Sequence, residues 1–222
     1  MPGYRSVFAA FLWLAFAAAC LAAGPGKNLV VNGSFDDERG DLFAWKYKYD
    51  LPGQSWYFKN HEYVSVVPKE GARVKVLAMR GTEEVLQVPG QGVLVESDPI
   101  AVKPNGRYRF TASARSTGPD CRIMVEGYKW KPGIKPHDSP KLEELRRCFR
   151  GKQIFFGGTQ GGTSGGVGKN WERASVTFPQ ADESDLEKDM FNKAEFMVVH
   201  LVAIKGSDGY LYIDDVVLER LN

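Results

Sequence analysis

Apolar and polar residues alternate with a period of two over most of this chain, which places successive side chains on opposite faces of an extended strand. The alternation is clearest at residues 73–78 (RVKVLA) and 107–115 (RYRFTASAR), and looser at 172–178 (ERASVTF). Residues 30–31, 64–67, 122–126, 195–204 and 211–218 also read as strands. Turn chemistry separates these runs: Pro52-Gly53, Pro89-Gly90, Pro104-Asn105-Gly106, Gly118-Pro119-Asp120 and the glycines at 206 and 209. Many short strands, regular turn signals and little helical periodicity predict an all-β sandwich or jelly roll. No internal repeat is visible.

One stretch departs from the pattern. Residues 132–168 make a connection longer than an ordinary loop, so an insertion with structure or function of its own is expected. Within it, residues 139–149 (SPKLEELRRCF) fit a short amphipathic helix. Ser139 would cap it and Pro140 would take the first helical position. Glu143 and Glu144 would form an acidic first turn, with Arg146 and Arg147 at the opposite end of the dipole. Leu142, Leu145 and Phe149 would share its apolar face. Residues 157–168 (GGTQGGTSGGVG) read as a flexible glycine-rich run.

The N-terminus carries targeting information rather than fold. In residues 1–24, Arg5 supplies positive charge, residues 7–19 are apolar and small residues follow, which is the pattern of a signal peptide. The run is too short for a membrane span, and no later segment approaches the roughly 20 apolar residues that a span needs. Ala17-Ala18-Ala19-Cys20 resembles a bacterial lipoprotein box, which would make Cys20 a lipid anchor. The alternative is ordinary cleavage near Ala22 or Gly24. Residues 25–222 then suit one large all-β domain.

Lys+Arg 29 against Asp+Glu 27 leaves a net charge of +2. That balance predicts neither nucleic acid nor an anionic membrane surface as a partner. Export implies an oxidising compartment, where Cys121 and Cys148 read as a disulfide, with two buried thiols as the alternative.

Four motifs, in order along the chain, resemble the carbohydrate-binding modules of the family 4, 9, 16 and 22 group. They are residues 28–36 (NLVVNGSFD) with Trp45 after them, residues 100–115 (IAVKPNGRYRFTASAR), residues 169–178 (KNWERASVTF) and residues 210–218 (YLYIDDVVL). The resemblance implies a galactose-binding-domain-like jelly-roll β-sandwich with its first and last strands adjacent. It implies an exported, non-catalytic protein that binds polysaccharide or oligosaccharide. It also implies a structural Ca²⁺ where the first strand meets the last, with Ser34, Asp36, Asp214 and Asp215 as hard oxygen ligands. Neighbouring aspartates on a strand point to opposite faces, so only one of Asp214 and Asp215 reaches a given ion. The 132–168 insertion departs from the family pattern and lies beside the expected binding face.

Sugar recognition needs flat apolar rings for the C–H faces and polar groups for the hydroxyls. Trp45, Tyr47 and Tyr49 share one face of a strand-like run, with Lys46 and Lys48 on the other. Trp45 reads as core, and Tyr47 and Tyr49 as groove candidates. Met124, Glu126, Tyr128 and Trp130 share one face of another strand while Ile123 and Val125 face the core. Glu126, Tyr128 and Trp130 are therefore the principal carbohydrate-binding candidates, unless the insertion folds over them. His200, alone in an apolar strand, is a further groove candidate.

Catalysis has little support. The carboxylate pairs at 36–37, 83–84, 143–144 and 214–215 are adjacent in sequence. Glycoside hydrolysis instead needs two carboxyls held across a bond at a set separation. No Gly-x-Ser-x-Gly elbow is present. The glycine run ends in Gly168-Lys169-Asn170, which is not a phosphate loop, so no organic cofactor is predicted. The alternatives to glycan binding are a cell-surface adhesion module that uses the same face for protein, and a glycan hydrolase built on the insertion.

Overall fold

The computed structural model describes residues 26–47, 60–68, 74–86, 92–156 and 166–222. These residues form eleven strands in two antiparallel sheets. The strands are β1 Trp45–Tyr47, β2 Val64–Pro68, β3 Lys75–Gly81, β4 Val93–Ser97, β5 Ile100–Ala101, β6 Tyr108–Ser116, β7 Pro119–Trp130, β8 Leu145–Ile154, β9 Glu172–Phe178, β10 Phe196–Gly206 and β11 Gly209–Arg220. One sheet runs β1-β4-β10-β7-β8, with β5 also paired to β10. The other runs β2-β3-β11-β6-β9. The architecture is a jelly-roll β-sandwich, as the period-two pattern predicts.

Alternation builds the core between the sheets. Val93, Val95, Met197, Val199, Leu201, Ile123 and Val125 point inward from the six-stranded sheet. Leu77, Met79, Phe110, Ala112, Leu211, Ile213 and Leu218 meet them from the other. β4 and β10 stand apart: all of Val93–Ser97 and every residue from Phe196 to Ile204 are buried. A strand buried on both faces reads as a continuous apolar run, and a polar residue within it has no solvent to turn to. His200 is that residue in β10.

The first and last described segments meet as expected. Asn28 bridges to Glu219, and the Leu29 N–H donates to the Leu218 carbonyl at 2.7 Å. The opening motif contributes only this bridge and then a series of turns, with Asn32 and Phe35 at positive φ. Its Asn28 side chain does the tethering, donating to the Val216 carbonyl and accepting from the Val30 and Leu218 N–H groups.

The insertion differs from its sequence pattern in two ways. Its helix is one 3₁₀ turn, Leu142–Glu144, and the residues after it extend as β8. Pairing with β7 outweighs the helical signals there: Arg146 lies opposite Lys129, Arg147 opposite Tyr128, and Phe149 opposite Gly127 in the core. Gly127 has no room for a larger residue, since a Cβ would lie 2.8 Å from the Phe149 Cβ. α-Helices occur elsewhere among the described residues, a single turn at α1 Glu83–Leu86 and a longer helix at α2 Asp185–Asn192, of which the second is capped. Ser184 caps α2, its hydroxyl accepting from the Glu187 N–H while the Glu187 carboxylate accepts from the Ser184 N–H. Its Phe191 packs edge-on against Phe149 and Phe178.

The disulfide is not formed; Cys121 and Cys148 remain thiols. Cys121 is buried in the core near the start of β7, while Cys148 sits across from the far end of that strand, at the bulge beside Tyr128. About seven residues at roughly 3.3 Å each separate the two positions along the sheet. A disulfide needs Cα atoms within about 7 Å. Burial raises the pKa of both thiols, and that of Cys121 strongly.

Candidate functional site

The outward face of the six-stranded sheet carries the even-numbered side chains of β7 and β10. Phe196, Val198, His200 and Val202 alternate with core residues on β10. Register places His200 between Glu96 of β4 and Met124 of β7. Glu126, Tyr128 and Trp130 follow Met124 along the same face.

Three charged or titratable groups lie side by side in the middle of this face. His200 Nε2 is 3.4 Å from Glu126 Oε2, and His200 Nδ1 is 3.7 Å from Glu96 Oε2. Both distances exceed a good hydrogen bond, so the contacts are chiefly electrostatic. Glu126 has closer partners as well. The Tyr128 hydroxyl donates to Oε2 at 2.7 Å, and an Arg147 N–H donates to Oε1 at 2.7 Å. Burial alone would raise the Glu126 pKa. The contacts from His200, Tyr128 and Arg147 outweigh burial and bring it from an ordinary 4.5 down to about 2. The same cluster, with burial leading, raises the Tyr128 pKa.

The aromatic candidates are not an open platform. Tyr128 is 8% exposed and packs with Leu145, Phe196 and Val198; Trp130 and Leu142 close over the group. Trp130 remains half-buried, its ring edge-on to Phe196 at 5.4 Å and tilted against His137 at 5.0 Å. The insertion thus folds over this end of the face, which alternation along β7 could not disclose. Solvent reaches the rim instead. Arg147 is 52% exposed while its partner carboxylate is buried. Lys46, opposite Glu96 in the register, is likewise exposed and pairs with Asp98.

Tyr47 lies elsewhere. Trp45 and Tyr47 face the core side of β1, and Tyr47 packs at the margin of the main core with its ring edge-on to His61. It does not join Glu126, Tyr128, Trp130 and His200. Tyr49 falls outside the described residues, as do Cys20 and the rest of residues 1–24.

Two participants escaped the sequence reading. The helical signals over residues 139–149 place Arg147 on a helix, whereas it lies on β8. Glu96 lies in residues 93–97 (VLVES), where a carboxylate inside a fully buried strand was the available signal.

The cluster is poorly suited to acid–base hydrolysis. Two carboxylates do flank a gap, but the His200 imidazole occupies it. A carboxyl held near 2 by three partners is a fixed anion, not a proton donor.

Of the calcium candidates, Ser34, Asp36 and Asp215 line one hollow beside Asn28 and Asn32, where the first turns meet β11. Asp215 sits there at φ 49°, in the stretch where the β11–β6 register shifts. Asp214 is buried and accepts from the Asp215 N–H at 2.7 Å. Asp37, also on the rim, is held by Arg39. Among the described residues, no three His, Cys, Asp or Glu side chains converge as a metal-ligand set.

No protein-family model matches this chain, and no curated protein does. Solved structures match in strand arrangement, among them carbohydrate-binding modules. A family 16 carbohydrate-binding module shares 17% identity over 86% of this chain and 99% of its own, with a TM-score of 0.45. The CBM22-1 xylan-binding domain from Paenibacillus barcinonensis shares 12% over 90% and 99%, with a TM-score of 0.47. TmCBM61, solved in complex with β-1,4-galactotriose, shares 12% over 87% and 99%, also at 0.47. Among the described residues, no helix is long and apolar enough to cross a membrane.

Proposed function

We propose that this protein is exported, by virtue of residues 1–24, and binds polysaccharide without cleaving it. The supporting observation is the row of hydrogen-bonding side chains across the outward sheet face: Lys46, Glu96, His200, Glu126 and Arg147. The row spans five adjacent strands, about 19 Å at roughly 4.8 Å per strand, a width that suits an oligosaccharide better than a single sugar. The buried members organise the exposed ones. Glu126 holds Arg147, whose remaining N–H groups can donate to sugar hydroxyls, and Trp130 supplies a half-exposed ring beside it.

Affinity should be modest, in the micromolar to millimolar range that corresponds to about −8 to −4 kcal/mol. Affinity gel electrophoresis against a panel of soluble polysaccharides tests the reading. Trp130→Ala should weaken retention about tenfold, the loss of roughly 1.4 kcal/mol, with the fold intact by circular dichroism. Retention on no polysaccharide, or unchanged retention of a folded Trp130→Ala protein, would remove the proposal.

We also propose that a structural Ca²⁺ occupies the hollow at Ser34, Asp36 and Asp215. The support is the donor set, two carboxylates with neutral oxygens, which is the chemistry calcium prefers. Asp214 is left out because it is buried and does not line the hollow. Calcium at a hundred times its dissociation constant should stabilise by about 2.7 kcal/mol. Identical melting temperatures in calcium and in a chelator would dismiss the site.

A further inference from the structure

The outer face of the five-stranded sheet carries aromatic side chains that the glycan face described above does not use. On β11, Leu211 and Ile213 fill the core, so Tyr210 and Tyr212 point outward. Their rings stack at 5.8 Å with 27° between the planes. Tyr212 lies opposite Arg115 of β6, whose guanidinium sits 4.2 Å from the Tyr212 ring and 5.9 Å from the Trp171 ring. Tyr212 thus stands inside a stack of flat groups, and Tyr210 ends it. Tyr210 is 40% exposed, against 8% for Tyr128 on the other sheet. Among the described residues, the Tyr210 ring stacks on no other ring or cation, and its hydroxyl has no hydrogen bond.

Register places Arg80 of β3 beside Tyr210. Arg80 is exposed, and among the described residues its guanidinium has neither a hydrogen bond nor an ion pair. Arg80 also lines an open hollow of about 670 Å³, whose other walls are Glu62, Tyr63, Thr82, Glu83, Glu84 and Asp208. The Thr82 hydroxyl and the Glu84 carboxylate are likewise uncommitted, and Asp208 spends one oxygen on the Glu83 N–H at 2.6 Å. This end of the sheet therefore sets an exposed ring next to unused hydrogen-bond donors and acceptors.

Those groups fit a sugar. The ring offers an apolar face to pyranose C–H bonds. Each sugar hydroxyl both donates and accepts, so it needs partners of both kinds. Four carboxylates line the hollow against one guanidinium, which disfavours a polyanion. Arg80, opposite Tyr210, disfavours a cationic sugar in turn. We propose that this corner of the five-stranded sheet is a second glycan site, where a neutral polysaccharide rests a sugar ring on Tyr210 and hydrogen-bonds to Arg80, Thr82 and Asp208. A hollow of this size is in the range of small-ligand sites and suits one or two sugar rings. The site lies on the opposite side of the sandwich from Glu126 and Trp130. It takes from the carbohydrate-binding reading only the class of ligand.

Affinity gel electrophoresis of the full chain against soluble galactan, xylan and β-glucan, with dextran sulfate as the charged control, tests the site. The double change Tyr210→Ala with Arg80→Ala should weaken retention on the neutral polysaccharide about tenfold, a change of roughly 1.4 kcal/mol. Both side chains are exposed, so circular dichroism should show the fold intact. Added salt should leave retention unchanged, because a neutral ligand makes no ion pair to screen. Adding Trp130→Ala should lower retention further than the double change does. Wild-type retention of the folded double variant would overturn the proposal. So would tighter binding of dextran sulfate, or a dimer in sedimentation that the double change abolishes, which marks the stack as a contact between copies. Loss in the double variant with unchanged retention of Trp130→Ala keeps this site and removes the face proposed above. Retention of the wild type on none of the polysaccharides defeats both.

Discussion

Glu126→Ala should lower the unfolding free energy by about 3 kcal/mol at pH 7, the cost of breaking a buried ionic cluster by removing one member. The carboxylate is buried, accepts from Tyr128 and Arg147 at 2.7 Å each, and faces His200 at 3.4 Å. Truncation leaves the Tyr128 hydroxyl and the imidazole without that acceptor in a site with little access to water. The pH dependence separates this mechanism from lost packing. The folded-state pKa lies near 2, below the ordinary 4.5. A depressed carboxyl pKa stabilises the fold above the unfolded value, and that stabilisation is lost as pH falls through the folded value. The gap between wild type and Glu126→Ala should thus be full above about pH 5 and shrink between pH 4.5 and 2. Urea unfolding of both proteins at several pH values measures it. A gap that stays constant with pH would show that packing, not charge, accounts for the loss.

Tyr128→Ala should cost about 3–5 kcal/mol, as for other large buried aromatics cut to alanine. Its ring lies among Leu145, Phe196 and Val198 beneath Trp130 and Leu142. Tyr128→Phe keeps the ring and loses one hydrogen bond to a carboxylate that retains Arg147, so it should cost about 1–2 kcal/mol. Thermal or denaturant melts of the two variants give the comparison. A Tyr128→Ala protein within 1 kcal/mol of wild type would mean that the insertion does not seal the ring in place. The practical consequence concerns binding assays: loss of binding in Tyr128→Ala reports unfolding as readily as a missing contact. Tyr128→Phe and Trp130→Ala are the informative substitutions.

The insertion shows where local signals give way. Residues 139–149 carry a cap, an acidic first turn and basic residues at the far end, all of which favour a helix. Each of those signals contributes on the order of 1 kcal/mol or less. Against them stand the ladder to β7 and burial of Phe149 and Leu145, contacts made with residues far away in the fold. The disulfide failed for a related reason. An even pair of cysteines carries no information on where each lies along a strand, and Cys148 sits across from the Gly127–Tyr128 bulge, about seven residues along β7 from Cys121.

What the sequence determined by itself was the period of its apolar positions, and with it most of the strands, the all-β sandwich class and the alternation of faces along each recognised strand. Strand alternation is local and follows from backbone geometry, so Ile123 and Val125 could be assigned to the core and Glu126, Tyr128 and Trp130 to the opposite face without coordinates. Only the tertiary structure decided what lies on top of that face and which charges meet there. Glu96, Glu126, Arg147 and His200 come from four strands separated by long stretches of chain, and strand order and register alone bring them together. The same holds for Tyr47, whose alternation with Lys46 was legible but whose inward orientation depended on β1 pairing with β4. Periodicity fixes the faces of a strand, whereas the neighbours on each face are set by non-local pairing, whose pattern is not written in any one segment.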